Sequence, residues 1–464
     1  MSYFKSINLP GRIILGLLVI YSLLSSNLMA TLCAVTVPFI LIKLLWKKNE
    51  SPFLFLGLML QWLAITIKIF YANFKGLEFG KLFESYQNIH LAYYCSIIGL
   101  ITIALGIYFV IKKFQLKDEE YSELALRYDS RKVVPYYILV TVLYPFIYNY
   151  SWKLGGLQQP ITKLADFKWM VFFVFTLSCF YTKQLKLFSL IAGFEILMSL
   201  TGFFSGFKDY FLVVFGAIVL VYAKKLSIKQ VIPIFGMSII FVYMVIVWSS
   251  VKPEYRNFLS GGSASQNVVK GTAESLNKLG ELAGNIDQNA IETGFNTTVD
   301  RISYIDFFSA TMDYVPRVVP HTHGHLWGDA VGRVLQPRIL FPNKKAIDDS
   351  ETTRQYSGMM VAGTEQGASI SLGYMTENYI DFGIPGMFIS LFMYGLLIGW
   401  VYKYVMTSSP DKLIGTAMII PLFILIYLLE SALNKLIGGL LMYLLIYELI
   451  RRFALEKFLK QIKI

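Results

Sequence analysis

The chain turns on His321-Thr322-His323-Gly324-His325 and, a little further on, Pro337-Arg338-Ile339-Leu340-Phe341-Pro342-Asn343-Lys344-Lys345. Both stretches lie inside residues 250–382, the one long polar interval in an otherwise apolar sequence. On either side, apolar runs of membrane-crossing length follow one another, each able to span ~30 Å of hydrocarbon as a helix of ~20 residues. The totals agree: of 464 residues 55% are apolar and only 16% charged, and mean hydropathy is +0.55. Soluble domains carry about 25% charged residues. The sequence therefore predicts an all-α, polytopic membrane protein.

Working outward from the polar interval, spans are expected near 12–26, 28–46, 52–72, 90–112, 134–150, 168–182, 186–204, 209–223 and 231–249 before it. Others are expected near 383–405, 412–430 and 434–450 after it. The first two are separated by a turn at Ser25-Ser26-Asn27. Twelve spans give four parts: an N-terminal bundle of about nine spans (1–249), a large extracytoplasmic loop between spans 9 and 10 (250–382), three C-terminal spans (383–450) and a basic tail (451–464). Lys5 and Arg12 precede the first apolar run without a convincing small-residue cleavage site, so it reads as a retained helix rather than a signal peptide.

Charge orients the chain. With twelve spans, about 23 Lys and Arg fall on one side and about seven in the short loops of the other. Positive loops stay in the cytoplasm, which places both termini there and residues 250–382 outside. The formal charge of +12 is accounted for by this bias and by anionic lipid. Nucleic acid is not an expected partner, because the charge is dispersed over short loops. The tail alternates basic residues with Phe453, Leu455, Phe458, Leu459 and Ile462, a pattern that suits an amphipathic helix on the inner membrane surface.

Cys33, Cys95 and Cys179 lie in apolar runs without metal or redox spacing and read as packing residues. The absence of a Walker A run argues against ATP hydrolysis, and the absence of GxSxG and HExxH removes two common hydrolase signatures. No cofactor is expected.

Candidate chemistry concentrates in the polar interval. Arg301, Arg317, Arg333 and Arg338 carry permanent charge on a planar fork suited to phosphate oxygens. If extended, the alternating His321, His323 and His325 would share one face, an arrangement open to a metal, to substrate contact or to plain solvation. A Pro and a Gly beside them argue for a loop, and no metal is expected. Glu365 in Gly363-Thr364-Glu365-Gln366-Gly367 and Glu377 in Glu377-Asn378-Tyr379-Ile380-Asp381 are candidate bases, each equally open to reading as a cap or ion-pair partner, and His323 is a third, open also to plain solvation or a local hydrogen bond. Lys68, Glu195 and Glu430 stand within apolar runs, where charge is seldom kept without use.

Three pieces of the sequence resemble a known family: Gly206-Phe207-Lys208 in a short outer loop, Gly328 with the Pro337–Lys344 run, and residues 377–386 entering the next span. Together with the many spans, they are similar to the Wzy-type polymerases of bacterial O-antigen and capsule repeat units, over roughly residues 195–400. The resemblance implies a glycosyltransferase of the bacterial cytoplasmic membrane. Its substrate would be an oligosaccharide on undecaprenyl pyrophosphate, and its partners a flippase and a chain-length regulator. On that reading Arg338 holds the pyrophosphate, helped by Arg317, Arg333, Lys344, Lys208 and Arg301. Lys208 stands where the family more often has arginine, which keeps the charge but loses the fork. An O-antigen ligase, a twelve-span transporter of an anionic or lipid-linked substrate, and an anchored assembly protein are the alternatives.

Overall fold

The computed structural model describes residues 9–47, 49–83, 87–116, 119–151, 158–200, 207–222, 228–263, 268–336, 341, 344, 347–363 and 368–464. Within these the chain is all-helical, and an isolated bridge between Tyr128 and Lys463 is its one β-type pairing. The helices are α1 (Leu9–Leu24), α2 (Leu28–Leu45), α3 (Phe53–Lys75), α4 (Ile89–Ile111), α5 (Tyr121–Ala125), α6 (Ser130–Ser151), α7 (Gln158–Ala165), α8 (Lys168–Tyr181), α9 (Leu185–Leu200) and α10 (Phe207–Tyr222). There follow α11 (Ile228–Leu259), α12 (Thr272–Gly284), α13 (Gln288–Ile302), α14 (Ile305–Tyr314), α15 (His325–Leu335), α16 (Asp349–Ser357), α17 (Tyr374–Ser408), α18 (Lys412–Ile426), α19 (Leu433–Leu449) and α20 (Leu455–Ile462).

Six helical stretches among the described residues are long and apolar enough to cross a bilayer: Leu28–Leu45, Phe53–Lys75, Ile89–Ile111, Lys163–Tyr181, Tyr374–Ser408 and Leu433–Ile462. Ile14–Leu24 and Lys412–Ile426 are apolar but shorter. A helix runs through each of the twelve expected segments. Among its described residues the polar interval carries the helices α12 to α16.

Two glycine positions set the central packing. An added Cβ on Gly395 of α17 would overlap the Ile103 carbonyl oxygen of α4, and one on Gly106 would overlap the Phe392 carbonyl. Backbone therefore meets backbone, the close approach that small residues permit between membrane helices. At the entry of α17 the helix breaks at Gly383 (φ 58°) and Ile384 (φ −100°, ψ 132°), just ahead of Pro385. Proline removes a donor and pushes its predecessor toward extended backbone, while the positive φ is one that glycine adopts freely.

The buried Lys68 of α3 is paired. Lys68 meets Asp300 at 2.5 Å and Asp306 at 4.0 Å. One turn further along α3, the Tyr71 hydroxyl donates to Asn296 at 3.0 Å, and Lys75 lies 3.9 Å from Glu292. Residues 68, 71 and 75 thus face 300, 296 and 292, an antiparallel ladder joining α3 to α13. The tail departs from expectation. Leu455, Leu459 and Ile462 of α20 are buried against the chain itself rather than left for lipid. Tyr136 packs edge-on to Phe458, and the Asp129 amide donates to the Ile462 carbonyl at 2.8 Å. All three cysteines are free thiols, with Cys95 and Cys179 buried.

Candidate anion-binding site

The polar interval delivers its cations through α11 and α13. Beyond the apolar run 231–249, α11 continues without interruption to Leu259 and presents two adjoining faces. Trp248, Val251, Tyr255 and Leu259 recur at helical spacing and are buried together with Phe207. Ser249, Lys252 and Arg256 lie on the next stripe, three and four residues apart. Ser249 accepts from the Thr298 hydroxyl of α13 at 2.9 Å, and the Ser250 hydroxyl donates to the Ala290 carbonyl at 2.8 Å. Gly294 leaves no room for a Cβ against Ser250. Helix α13 is therefore clamped between α3 and α11. Its Asp300 turns to Lys68, while the next residue, Arg301, joins Lys252 and Arg256.

Two further elements close the recess. Lys208 and Asp209 open α10. The turn after α18 brings Glu430, anchored by the Tyr427 hydroxyl donating to Asp209 at 3.2 Å and by the Tyr374 amide donating to the Ser431 carbonyl at 2.8 Å. Lys208, Arg301 and Glu430 remain accessible to solvent, and Lys252 and Arg256 are half-buried. Burial of their surroundings nevertheless acts on both Lys208 and Glu430.

Electrostatics tie the five groups together. Burial lowers the Lys252 ammonium to about 7, with Arg301, Arg256 and Lys208 adding to the shift and Glu430 opposing it. Burial and Arg301 push Arg256 down to about 10. Lys208, ahead of its apolar run, is lowered by burial and then by Arg301. Glu430 is raised by burial against the pull of Lys208, Arg301 and Lys252. Four basic side chains thus act on one another, with Glu430 and Asp209 opposing them, a charge distribution suited to an anion. Just below, burial raises Asp306 to about 6 although Lys68 lies beside it.

A pH dependence follows. Lys252 is charged below about 7 and loses its proton above, so the recess carries one more positive charge at pH 6 than at pH 8. Sulfate, whose own charge is constant over that range, is expected to bind about tenfold more tightly at pH 6, the effect of one unit charge a few ångströms away in partly solvated surroundings. Titration calorimetry at both pH values checks this, and Lys252→Met should flatten the dependence.

Not all the sequence candidates meet here. Lys208 and Arg301 do, whereas Arg333 is held by Asp329 at 2.7 Å, one turn back on α15. The Lys344 ammonium donates to the carbonyls of Arg333 (2.5 Å) and Gln336 (2.9 Å), closing the C-terminal end of that helix. Arg317 is exposed after α14. Arg338 and Glu365 lie outside the described residues.

Glu377 is buried and accepts the Leu433 amide at 2.5 Å, capping α19. Asp381 caps α15 in the same way, accepting the amides of Leu326 (3.0 Å) and Trp327 (2.9 Å) and the Thr322 hydroxyl (2.5 Å). Capping brings His325 into a helix and leaves His323 (φ 51°) and Gly324 (φ 91°) left-handed, so the three imidazoles do not alternate along extended backbone. His321 Nδ1 lies 3.2 Å from the Ile380 carbonyl, while His323 and His325 are exposed. Among the described residues no three His, Cys, Asp or Glu are grouped to hold a metal ion.

Lys252 and Arg256 are the residues sequence reasoning passed over. Two basic residues four apart, just past the end of an apolar run and in phase with Ser249, were the available signal.

With this geometry in hand, comparison with known sequences gives one result. Residues 55–463 match the family described as Domain of unknown function (DUF8712). The chain belongs to that family. The matched region contains the whole recess, from Lys208 to Glu430, and the ladder between α3 and α13. No curated protein and no solved structure matches the chain.

Proposed function

We propose that this protein polymerises lipid-linked oligosaccharide repeat units by glycosyl transfer at the outer face of a bacterial cytoplasmic membrane. In this reading twelve spans cross the bilayer, both termini are cytoplasmic, and the helical polar interval stands outside. The observation that carries it is the group of Lys208 (α10), Lys252 and Arg256 (α11) and Arg301 (α13), which act electrostatically on one another, with Glu430 acting on Lys208 and Lys252. A pyrophosphate linking a glycan to undecaprenol has the charge and the location for such a site.

The chemistry balances with this chain's residues alone. The acceptor sugar hydroxyl bonds to C1 of the donor glycan as the C1–O bond to pyrophosphate breaks. The bond's electron pair leaves on the pyrophosphate, where fixed cations stabilise the growing charge. The hydroxyl proton passes to Glu430, the carboxylate that faces the cations and whose affinity for protons burial increases. Glu377 and Asp381 keep the capping roles described above, and Arg333 and Lys344 hold the end of α15. Arg338 keeps the pyrophosphate-holding role that the Wzy-type resemblance implies, and Glu365 stays an alternative base.

The test is the lipid-linked glycan pool of cells lacking the protein, compared with cells carrying it. Single repeat units without polymer are the expected result. Complete polymer stranded on the lipid would replace polymerase by ligase. An unchanged pool would overturn glycosyl transfer and leave anion transport.

A further inference from the structure

Residues 374–382 do not lead straight into the long part of α17; they fold back along it. The ring centroids of Tyr374 and Tyr394 are 5.2 Å apart, and the Ser390 hydroxyl donates to the Asn378 side chain. In a straight helix those pairs would stand ~30 Å and ~18 Å apart, at 1.5 Å per residue. Gly99 of α4 shows the same doubling, because a Cβ there would meet both Leu391 and Met375. The bend is the break at Gly383 and Ile384. The end of the polar interval is therefore a half-helix turned in among the apolar helices. At its inner end the Tyr374 hydroxyl donates at 2.7 Å to Gln61, well inside α3.

That inner end meets the turn between α18 and α19, which carries Glu430. The Tyr374 amide donates to the Ser431 carbonyl at 2.8 Å, and the buried Glu377 accepts the Leu433 amide at 2.5 Å. Gly373 (φ 79°) lies between the Tyr304 ring and the Leu429 carbonyl, where a Cβ would come within 2.5 Å of the one and 2.7 Å of the other. Residues 429, 431 and 433 are thus each met by the half-helix or by the glycine that opens it. Residue 430 lies between them, and its carboxylate acts on Lys208 and Lys252.

We propose that Glu377 is a positioning residue: from the half-helix it holds the first amide of α19, and so sets Glu430 against Lys208 and Lys252. The assignment rests on the anion-binding reading of the recess, and holds whether or not the bound anion is a glycosyl donor. It gives Glu377 work other than proton transfer. The Leu433 amide needs an acceptor and not a charge, so a glutamine serves it as well.

Sulfate binding to the full-length protein in phosphatidylcholine nanodiscs, followed by titration calorimetry, tests this, because Glu430 repels an anion that the cations attract. Glu430→Gln should tighten sulfate by about tenfold, the effect of one unit charge a few ångströms away. Glu377→Ala releases the turn that holds Glu430 near the cations, and should tighten sulfate by part of that factor. A residue that merely stabilised the fold would weaken binding instead. In the Glu430→Gln background Glu377→Ala should add nothing, because the carboxylate it places is gone. Glu377→Gln keeps the acceptor and should retain both the sulfate affinity and the polymer of the intact protein. Weaker or unchanged sulfate binding in Glu377→Ala overturns the proposal, and so does an equal gain with and without the Glu430 carboxylate. Should Glu377→Ala not fold, Glu377→Gln decides: retained affinity and polymer support the proposal, and lost polymer overturns it by making the acid itself a reacting group. The expected sulfate results in a protein whose loss leaves cellular glycans unchanged would keep this assignment and reject the polymerase.

Discussion

Arg301→Ala is expected to lower polymer formation by about 10²–10³-fold, the range seen when one preorganised group for a developing oxyanion is removed. Arg301 is the common neighbour of the recess: it acts on Lys208, Lys252, Arg256 and Glu430 alike. Its fork is delivered by a rigid route, since the preceding Asp300 is bonded to Lys68 and α13 is held by Ser249 and Ser250. Losing the guanidinium removes charge where the leaving group would gather it. It also relieves Lys252, which then keeps its proton to higher pH, so binding of the donor should suffer less than turnover. The readout is polymer yield in cells together with donor affinity on purified protein. Arg301→Lys, which keeps the charge without the fork, should fall between the two. Arg333→Ala is the contrast: that arginine pairs with Asp329 at the surface, where such pairs contribute about 0–1 kcal/mol, and little activity should be lost. Equal losses in both would reject the recess as the reacting site.

The division between the two arginines also shows what the sequence could and could not say. Apolar runs announce helices through composition alone, and a helix is found in every segment so read. The turn after α18 ends that helix at Ile426, short of the expected 430, which frees Glu430 from the apolar run and places it at the recess. Convergence of cations is a different matter. Lys208, Lys252 and Arg301 stand in three separate helices, and what joins them is the contact of Ser249 with Thr298, the space at Gly294 and the ladder from Lys68. None of these is periodic or local. Sequence left the arrangement of His321, His323 and His325 open, a shared face only if extended; it is Asp381, distant in the chain, that caps a helix beginning at His325 and decides it. The basic tail misled, its apolar stripe having a protein partner in α6.

Glu195→Ala is expected to destabilise the fold by about 3–5 kcal/mol, the cost of breaking a buried ion pair by removing one partner. Glu195 is fully buried on α9 and accepts from the Lys168 ammonium at 2.8 Å, the Ser199 hydroxyl at 2.9 Å and the Tyr137 hydroxyl. Alanine would leave three donors without their acceptor, one of them charged, in surroundings of Phe172 and Trp169. Thermal unfolding in detergent measures the loss. Glu195→Gln keeps an acceptor oxygen and should lose less. Lys168→Met combined with Glu195→Leu removes both charges and should recover most of the stability, because an apolar pair of similar volume avoids the desolvation that the ion pair must offset. Recovery of stability with normal polymer would make the pair a device of the fold. Recovery of stability without polymer would extend the working site inward from Asp209 through Lys168, and Glu195 would then be placed by the chemistry rather than by packing.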